Sequence, residues 1–107
     1  FINPQETKHS DTAWLAFPIL INEKANFSRK EFQIYLEERN IQTRVVFTGN
    51  ITRQPMSKEF SYKKNNELVN ADNVMKNGVL LPVHHGLTED MFNRLHKTID
   101  EFIKTHT

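Results

Sequence analysis

The sequence contains no cysteine, and glycine makes up only three of its 107 residues. The lack of cysteine excludes disulfides, thiolate nucleophiles and cysteine-ligated metals from this stretch. It also fits a reducing compartment. We therefore expect a cytoplasmic location.

A dominant charge of either sign is also missing. Lysine and arginine total 14 and aspartate and glutamate total 13, which leaves a formal net charge of +1. Binding to nucleic acid or to an anionic membrane surface usually needs a strong positive charge. No apolar run reaches the roughly 20 residues of a membrane-spanning helix. We expect neither nucleic acid nor a membrane as a partner.

The chain begins at Phe1 rather than at methionine, and no signal-peptide pattern opens it. Such a start is typical of a piece of a longer protein. Residues 1–11 are polar, contain Pro4 and predict a linker, whereas residues 12–107 predict one domain. Because 37% of the residues are hydrophobic and 25% are charged, the chain can bury one modest core.

Apolar runs and capping signals alternate along the chain and predict an α+β fold. Strands are predicted at residues 13–21, 42–47 and 79–83, and helices after Ser28, before Asn77-Gly78 and after Thr88. The first run is apolar on both faces, which predicts a strand covered on both sides, and Pro18 predicts an edge or a bulge there. Ser28 and Glu31 match a capping box. We expect an α/β sandwich in which a small three-stranded sheet packs against helices.

The pattern also predicts details within these elements. Asn40 is expected to end the first helix. The second strand is expected to alternate between two faces, with Thr43, Val45 and Phe47 on one and Arg44 and Val46 on the other. The last helix is expected to carry an apolar stripe at Phe92, Leu95, Ile99, Phe102 and Ile103. Residues 48–66 predict a long polar loop, which is functional or disordered.

Two loops that follow strands carry polar side chains, and such loops often bind ligands. In the first loop, Arg53 could pair with a carboxylate or phosphate through two hydrogen bonds, and Asn50 and Gln54 supply donors and acceptors. Gly49 would allow a close backbone approach. The alternative is a solvated turn in which Asn50 tolerates an unusual backbone angle beside Gly49.

The second loop begins with His84 and His85. Neighbouring residues on an extended segment point to opposite faces, so the two rings are poorly placed to chelate one ion, and we predict no metal site. The alternative role for such a histidine is to cap backbone carbonyls. The basic and aromatic segment 58–64 is interrupted by Glu59, and we interpret it as a solvated loop rather than a nucleic-acid surface.

No pattern in the sequence indicates nucleophilic catalysis. A Gly-x-Ser-x-Gly motif, a Cys–His pair and a phosphate-binding glycine run are all missing. We predict no catalytic residue, and we expect the domain to contribute to a site rather than to form one alone.

Several segments together resemble one enzyme family. They are Asn40–Arg44 (NIQTR), Phe47–Asn50 (FTGN), Arg53–Pro55 (RQP), Ala71–Met75 (ADNVM) and Leu81–Thr88 (LPVHHGLT). This combination resembles the C-terminal small domain of the DegT/DnrJ/EryC1/StrS nucleotide-sugar aminotransferases, which have the fold-type I architecture of aspartate aminotransferase. The resemblance covers residues 12–104. Its FTGN and RQP segments are most similar to the branch that removes the C3 hydroxyl of nucleotide-linked 4-keto-6-deoxyhexoses.

The resemblance implies a pyridoxal-phosphate or pyridoxamine-phosphate enzyme of deoxysugar and lipopolysaccharide O-antigen biosynthesis. The cofactor acts as the electron sink, and the large domain, which matches no position here, holds it. The small domain alone is then expected to be inactive. The parent protein is expected to be a homodimer that binds a nucleotide-linked 4-keto-6-deoxy sugar and, as amino donor, glutamate. The lack of cysteine favours the kind without an iron–sulfur cluster.

The resemblance also implies that the segment matching Gly49–Arg53 approaches the cleft between cofactor and substrate. We expect Asn50, Arg53, Gly49 and His84 to be substrate-binding residues, and Gln54 and His85 to be weaker candidates. Two alternatives remain open. One is an aminotransferase of the same family, and the other is an independent regulatory domain that senses a small anion through Arg53.

Overall fold

The structure is a computed structural model that describes residues 1–64 and 66–107. Its elements follow the order β1 (Phe17–Leu20), α1 (Arg29–Glu37), β2 (Arg44–Val45), α2 (Val69–Asn77), β3 (Gly78–Leu81) and α3 (Glu89–His106). Two short 3-10 helices, Ile51–Arg53 and Pro55–Glu59, lie between β2 and α2. This arrangement confirms the predicted α+β fold with a small three-stranded sheet. Within the described residues, no helix has the length and apolarity that crossing a membrane requires.

The central strand of the sheet is the last one in sequence. The strand order is β1-β3-β2, and β3 is antiparallel to both neighbours. Pro18 therefore lies in an edge strand, as predicted, where a missing N–H is tolerated better than in a central strand. Ile2 covers part of the outer edge of β1 by exchanging two backbone hydrogen bonds with Leu20, of 2.8 and 3.0 Å. The interpretation of residues 1–11 as a linker stays a prediction.

One hydrophobic cluster joins the sheet to α1 and α3. Its members are all buried apolar side chains, namely Ile19, Ile21, Phe32, Leu36, Ile41, Val79, Leu81, Leu95 and Phe102. Phe102 lies at its centre, with ring centroids 4.8 Å from Phe27 and 5.2 Å from Phe32. The predicted stripe on α3 is confirmed at Leu95 and Phe102, which are buried, and at Ile99 and Ile103, which pack against the cluster, whereas Phe92 is 39% exposed.

Helix boundaries follow the local signals. Both reciprocal hydrogen bonds of the Ser28–Glu31 capping box are present at the start of α1. The helix ends at Glu37, and Asn40 takes a left-handed backbone angle, with φ of 56°. The bonds from the Asn40 amide to the Glu37 carbonyl and from the Ile41 amide to the Leu36 carbonyl form a Schellman closure.

The strands are shorter than predicted. The first run forms a strand only at Phe17–Leu20, which pairs with Gly78–Leu81 of β3. The pairing ends there because the next residue of that segment, Pro82, has no N–H to donate. The expectation that this run is covered on both sides is wrong for its first part, since Leu15 is 90% exposed, whereas the residues of β1 itself are buried or half-buried.

The second strand, predicted at 42–47, is limited to Arg44–Val45. Phe47 has a φ of 41°, and its amide donates to the carbonyl of Val45 two residues earlier, which turns the chain out of the ladder. The predicted alternation is therefore wrong, because Thr43 is buried whereas Val45 and Phe47 are exposed.

Candidate functional site

The loop after β2 is shaped by its contact with α2. Gly49 has a φ of +63°, and a Cβ at this position would lie 2.4 Å from the Cβ of Met75. Only glycine tolerates both the left-handed angle and this separation. The close approach predicted for Gly49 thus exists, but the partner that the structure shows is α2.

Asn50 is a buried junction between the loop and α2. Its Oδ1 atom accepts from the Thr52 amide at 3.0 Å and from the Thr52 hydroxyl at 2.7 Å, so it caps the first 3-10 helix. Its Nδ2 atom donates to Oδ1 of Asp72 at 2.7 Å. The backbone angle of Asn50 is ordinary, with φ of −100°, so the alternative of an unusual angle at this residue is wrong. That angle occurs at Phe47 and Gly49 instead.

Arg53 makes the two-point contact with a carboxylate that its side chain predicts, and the carboxylate belongs to the same chain. Nε of Arg53 donates to Oδ1 of Asp72 at 3.0 Å, and Nη2 donates to Oδ2 at 2.8 Å. More than half of the Arg53 side chain is exposed. Within the part of the chain that the structure describes, Nη1 has no hydrogen-bond acceptor. Arg53 can therefore keep its bonds to Asp72 and still offer donors to a ligand.

The electrostatics of this group favour the ionised pair. Hydrogen bonds from Arg53 and then from Asn50 lower the pKa of Asp72 from 3.8 to about 2. The same contact raises the pKa of Arg53 above its usual value. Both groups are thus charged throughout the neutral range.

Further bonds within the loop limit its freedom. Nε2 of Gln54 donates to the Thr48 carbonyl at 2.6 Å, across the turn that contains Gly49. The Ser57 hydroxyl lies within hydrogen-bond distance of the carbonyls of Thr52 (3.0 Å) and Gln54 (2.7 Å). The predicted long polar loop thus contains two short helices, which side-chain hydrogen bonds hold in place. Its residues 58–64 are exposed, as expected for a solvated segment.

His84 lies at the other end of the sheet. Because β2 and β3 are antiparallel, the loop after β2 and the loop after β3 leave opposite ends of the sheet. His84 therefore does not join Asn50 and Arg53 in one site within this chain. Its Nδ1 atom accepts from the Gly86 amide at 3.1 Å, so it caps an amide rather than a carbonyl.

His84 also borders a groove of about 300 Å³, which Asn40, Gln42 and Arg94 help to line. The ring centroid of His85 lies 6.4 Å from that of His84. Among residues 1–64 and 66–107, no group of three or more His, Cys, Asp or Glu side chains is placed to hold a metal ion.

Asp72 is the residue that sequence reasoning missed. It lies 22 positions from Asn50 and 19 from Arg53, so no local pattern links the three. The available signal is that Asp72 is the acidic residue in the first turn of α2, where a negative charge suits the helix dipole. That role explains an aspartate at this position without requiring an arginine partner.

Comparisons with known proteins identify the family. The profile of the DegT/DnrJ/EryC1/StrS aminotransferase family matches residues 1–100. The chain belongs to this family, which confirms the resemblance stated above.

Individual relatives narrow the comparison from the family to named proteins. The chain is 38% identical over 100 residues to the dTDP-4-dehydro-2,6-dideoxy-D-glucose 3-dehydratase of Saccharopolyspora spinosa, covering 94% of this chain and 22% of the relative. It is 33% identical over 99 residues to the lipopolysaccharide biosynthesis protein RfbH of Salmonella typhimurium, covering 92% of this chain and 23% of that protein. The chain thus spans less than a quarter of the length of either relative.

A solved structure shows the same fold. The chain aligns with E. coli GDP-4-keto-6-deoxy-D-mannose-3-dehydratase with bound hydrated PLP at a TM-score of 0.79 and 27% identity. This alignment covers 90% of the present chain and 24% of the E. coli enzyme. A structure of the same type of enzyme with bound GDP-perosamine aligns equally well, with a TM-score of 0.79 and 27% identity over 90% of this chain and 25% of that one.

Proposed function

We propose that this chain is the C-terminal small domain of a nucleotide-sugar 3-dehydratase that acts on a nucleotide-linked 4-keto-6-deoxyhexose. The observation that carries the proposal is the match to two 3-dehydratases, by sequence to one across 94% of this chain and by fold to the other across 90%. The whole protein would then be a homodimer of the cytoplasm that serves deoxysugar or lipopolysaccharide biosynthesis. An aminotransferase is the second candidate, because the family to which the chain belongs is named for aminotransferases.

The residues of the loop after β2 do not by themselves make a site for pyridoxal phosphate. A carboxylate is a common partner for the pyridine nitrogen of this cofactor, and Asp72, the carboxylate that contacts the loop, is already bonded to Arg53 and Asn50. The cavity beside Gly49 measures about 150 Å³, which is below the usual 300–1,000 Å³ of ligand pockets. We infer that the whole protein holds its cofactor, pyridoxal or pyridoxamine phosphate, mainly through other parts of its chain.

The role that fits this chain is the binding of an anionic substrate group by Arg53. A guanidinium with free N–H donors suits the pyrophosphate of a sugar nucleotide or the carboxylate of glutamate. Gly49 and Asn50 would support this role by fixing the loop on α2. His84 lies in the loop at the opposite end of the sheet. It could contact the substrate only through a different part of the ligand, or in a site completed by other parts of the whole protein.

The overall activity is tested by product analysis with the whole protein. GDP-4-keto-6-deoxymannose or dTDP-4-dehydro-2,6-dideoxyglucose is incubated with the protein, pyridoxal phosphate and glutamate, and the sugar is examined by mass spectrometry. A dehydratase yields a sugar that has lost the C3 oxygen and kept the C4 ketone. An aminotransferase yields a C4 amine and would contradict the proposal. The 107-residue chain alone should give neither product.

The role of the loop is tested by Arg53→Ala in the whole protein. Loss of a hydrogen bond to a charged group should lower kcat/KM roughly 10- to 100-fold without unfolding the protein. Arg53→Lys should recover only part of the loss, because lysine cannot form the two-point contact. Lys97→Ala on the exposed face of α3 is the matched control and should have no effect. Unchanged kinetics for Arg53→Ala would contradict the assignment.

A further inference from the structure

We propose that Asp72 is a positioning residue, which holds Arg53 side-on so that the outer edge of the guanidinium faces an anionic ligand group. This inference rests on the proposed function, since it takes Arg53 as a ligand contact. It assigns to α2 a part in binding that none of the residue patterns in the sequence indicated.

The hydrogen bonds define which edge of Arg53 is used. Asp72 receives Nε and one N–H of Nη2, which form one side of the guanidinium fork. The remaining donors are both N–H groups of Nη1 and the second N–H of Nη2, and one N–H of each nitrogen forms the outer edge. That edge has the geometry for two-point binding of a carboxylate or phosphate. Binding a ligand there requires no change in the Asp72 contact.

Asp72 belongs to a regular element that is joined directly to the central strand of the sheet. Asp72 lies in α2, which continues without a connecting loop into the central strand β3. Oδ1 of Asp72 also accepts from Asn50, whose side chain is almost completely buried. Arg29 of α1 donates to the Met75 carbonyl at 2.7 Å and so joins α2 to α1.

Pre-ordering is the physical benefit of this arrangement. An unrestrained arginine loses rotamer freedom when it binds a ligand, and this loss weakens binding. With Asp72 in place, much of that ordering is complete before the ligand arrives. Asp72 also offsets part of the positive charge of Arg53. If it competed with the ligand for Arg53, removing its charge would tighten ligand binding rather than weaken it.

The test compares Asp72→Asn with the unchanged whole protein. Asparagine keeps the size and one oxygen acceptor but cannot receive both bonds from Arg53. We expect the dissociation constant to rise about tenfold for one of two probes, GDP or L-glutamate, measured by titration calorimetry. The probe that responds identifies whether Arg53 binds the nucleotide phosphates or the donor carboxylate. Glu101→Gln, which removes the charge of another surface ion pair (Lys97–Glu101), is the matched control and should change neither.

A double-mutant comparison separates positioning from a purely structural effect. If Asp72 acts through Arg53, Asp72→Asn should cause no further loss of affinity in an Arg53→Ala background. Equal or tighter binding of both probes by Asp72→Asn alone would overturn the inference, and so would an undiminished effect in the Arg53→Ala background. If Arg53→Ala itself binds both probes normally, the proposed role of the loop fails first.

A measurement on the unchanged protein covers the case in which Asp72→Asn does not fold. The Nε–H of Arg53 can be followed by NMR after selective ¹⁵N labelling of arginine. The bond to Asp72 should protect this proton, so that it exchanges at least tenfold more slowly than that of Arg44, for which the structure shows no side-chain acceptor within the described residues. Exchange at the same rate as Arg44 would overturn the inference.

Discussion

Asn50 and Arg53 lie three residues apart, and a ligand could reach them to very different extents. The Asn50 side chain is 2% exposed and its amide is bonded on both sides, so touching a ligand would cost it existing hydrogen bonds. Arg53 can gain a ligand and keep its present partner. At this scale, Asn50 fits a role in fixing the loop and Arg53 a role in contact.

Gly49 gives a prediction about a single Cβ atom. Gly49→Ala would place a methyl group 2.4 Å from the Cβ of Met75, at a φ that L-residues rarely adopt. We expect a loss of at least about 2 kcal/mol in the free energy of unfolding, since a left-handed angle and overpacking each cost roughly 1–2 kcal/mol or more. Urea denaturation followed by circular dichroism measures it.

Gly86→Ala is the matched control for Gly49→Ala. Its added Cβ would meet only ring atoms of His84, at 3.1 and 3.2 Å, and this exposed side chain can move. The free energy of unfolding of the control should therefore be close to that of the unchanged chain. Equal effects of the two substitutions would show that the loop does not pack on α2 as the structure describes.

At the scale of single elements, α1 depends on its first turn. Ser28→Ala removes the hydroxyl that accepts from the Glu31 amide and leaves an orphan donor. We expect a cost of about 1 kcal/mol in the free energy of unfolding, the usual value for loss of such a cap. Thermal unfolding measures it, and Ser28→Asp, which can also cap, should recover most of the stability. No loss in Ser28→Ala would mean that the capping box does not stabilise α1.

The helices were predicted more accurately than the strands because their limits are set locally. Ser28, Asn40 and Thr88 each act within one turn of the chain, and the structure confirms all three. Strand length depends on the partner instead, so the apolar run around Leu15 gave no sign that β3 would stop at Leu81. The pairing of Arg53 with Asp72 is also non-local and became visible only in three dimensions.

At the scale of the whole molecule, the chain is more extended than its length requires. Its radius of gyration is 16.0 Å, whereas a domain of about 100 residues usually has about 13 Å. Most of the exposed large hydrophobic side chains precede β1 or lie between β2 and α2, including Leu15, Phe47 and Phe60. The stability of the chain therefore comes from the cluster between the sheet, α1 and α3.

Stability should fall in acid, because three carboxyl groups have lowered pKa values in the folded chain. Hydrogen bonds from Ser28 lower the pKa of Glu31, bonds from Thr43 lower that of Glu37, and Arg53 with Asn50 lower that of Asp72 to about 2. A lowered pKa stabilises the fold above the unfolded value, which is 4.5 for glutamate and 3.8 for aspartate. This contribution is lost as the pH falls towards 2.

The measurement is the urea midpoint of the 107-residue chain at pH 7, 5 and 3. We expect little change between pH 7 and 5 and a clear decrease at pH 3. In a triple variant with Glu31→Gln, Glu37→Gln and Asp72→Asn, the decrease should be smaller. A decrease of the same size in that variant would assign the acid sensitivity to other groups.

The junction at Asn77 and Gly78, where α2 meets β3 with no spacer, makes this part of the chain intolerant of changes in length. One residue inserted there would turn the helix by about 100° relative to the strand, and it would exchange the two faces of the strand. Asp72 would swing away from Arg53 while Val79 left the core. Relatives of this protein should accordingly vary in length within the exposed segment 58–64 and keep the same number of residues between Asp72 and Val79.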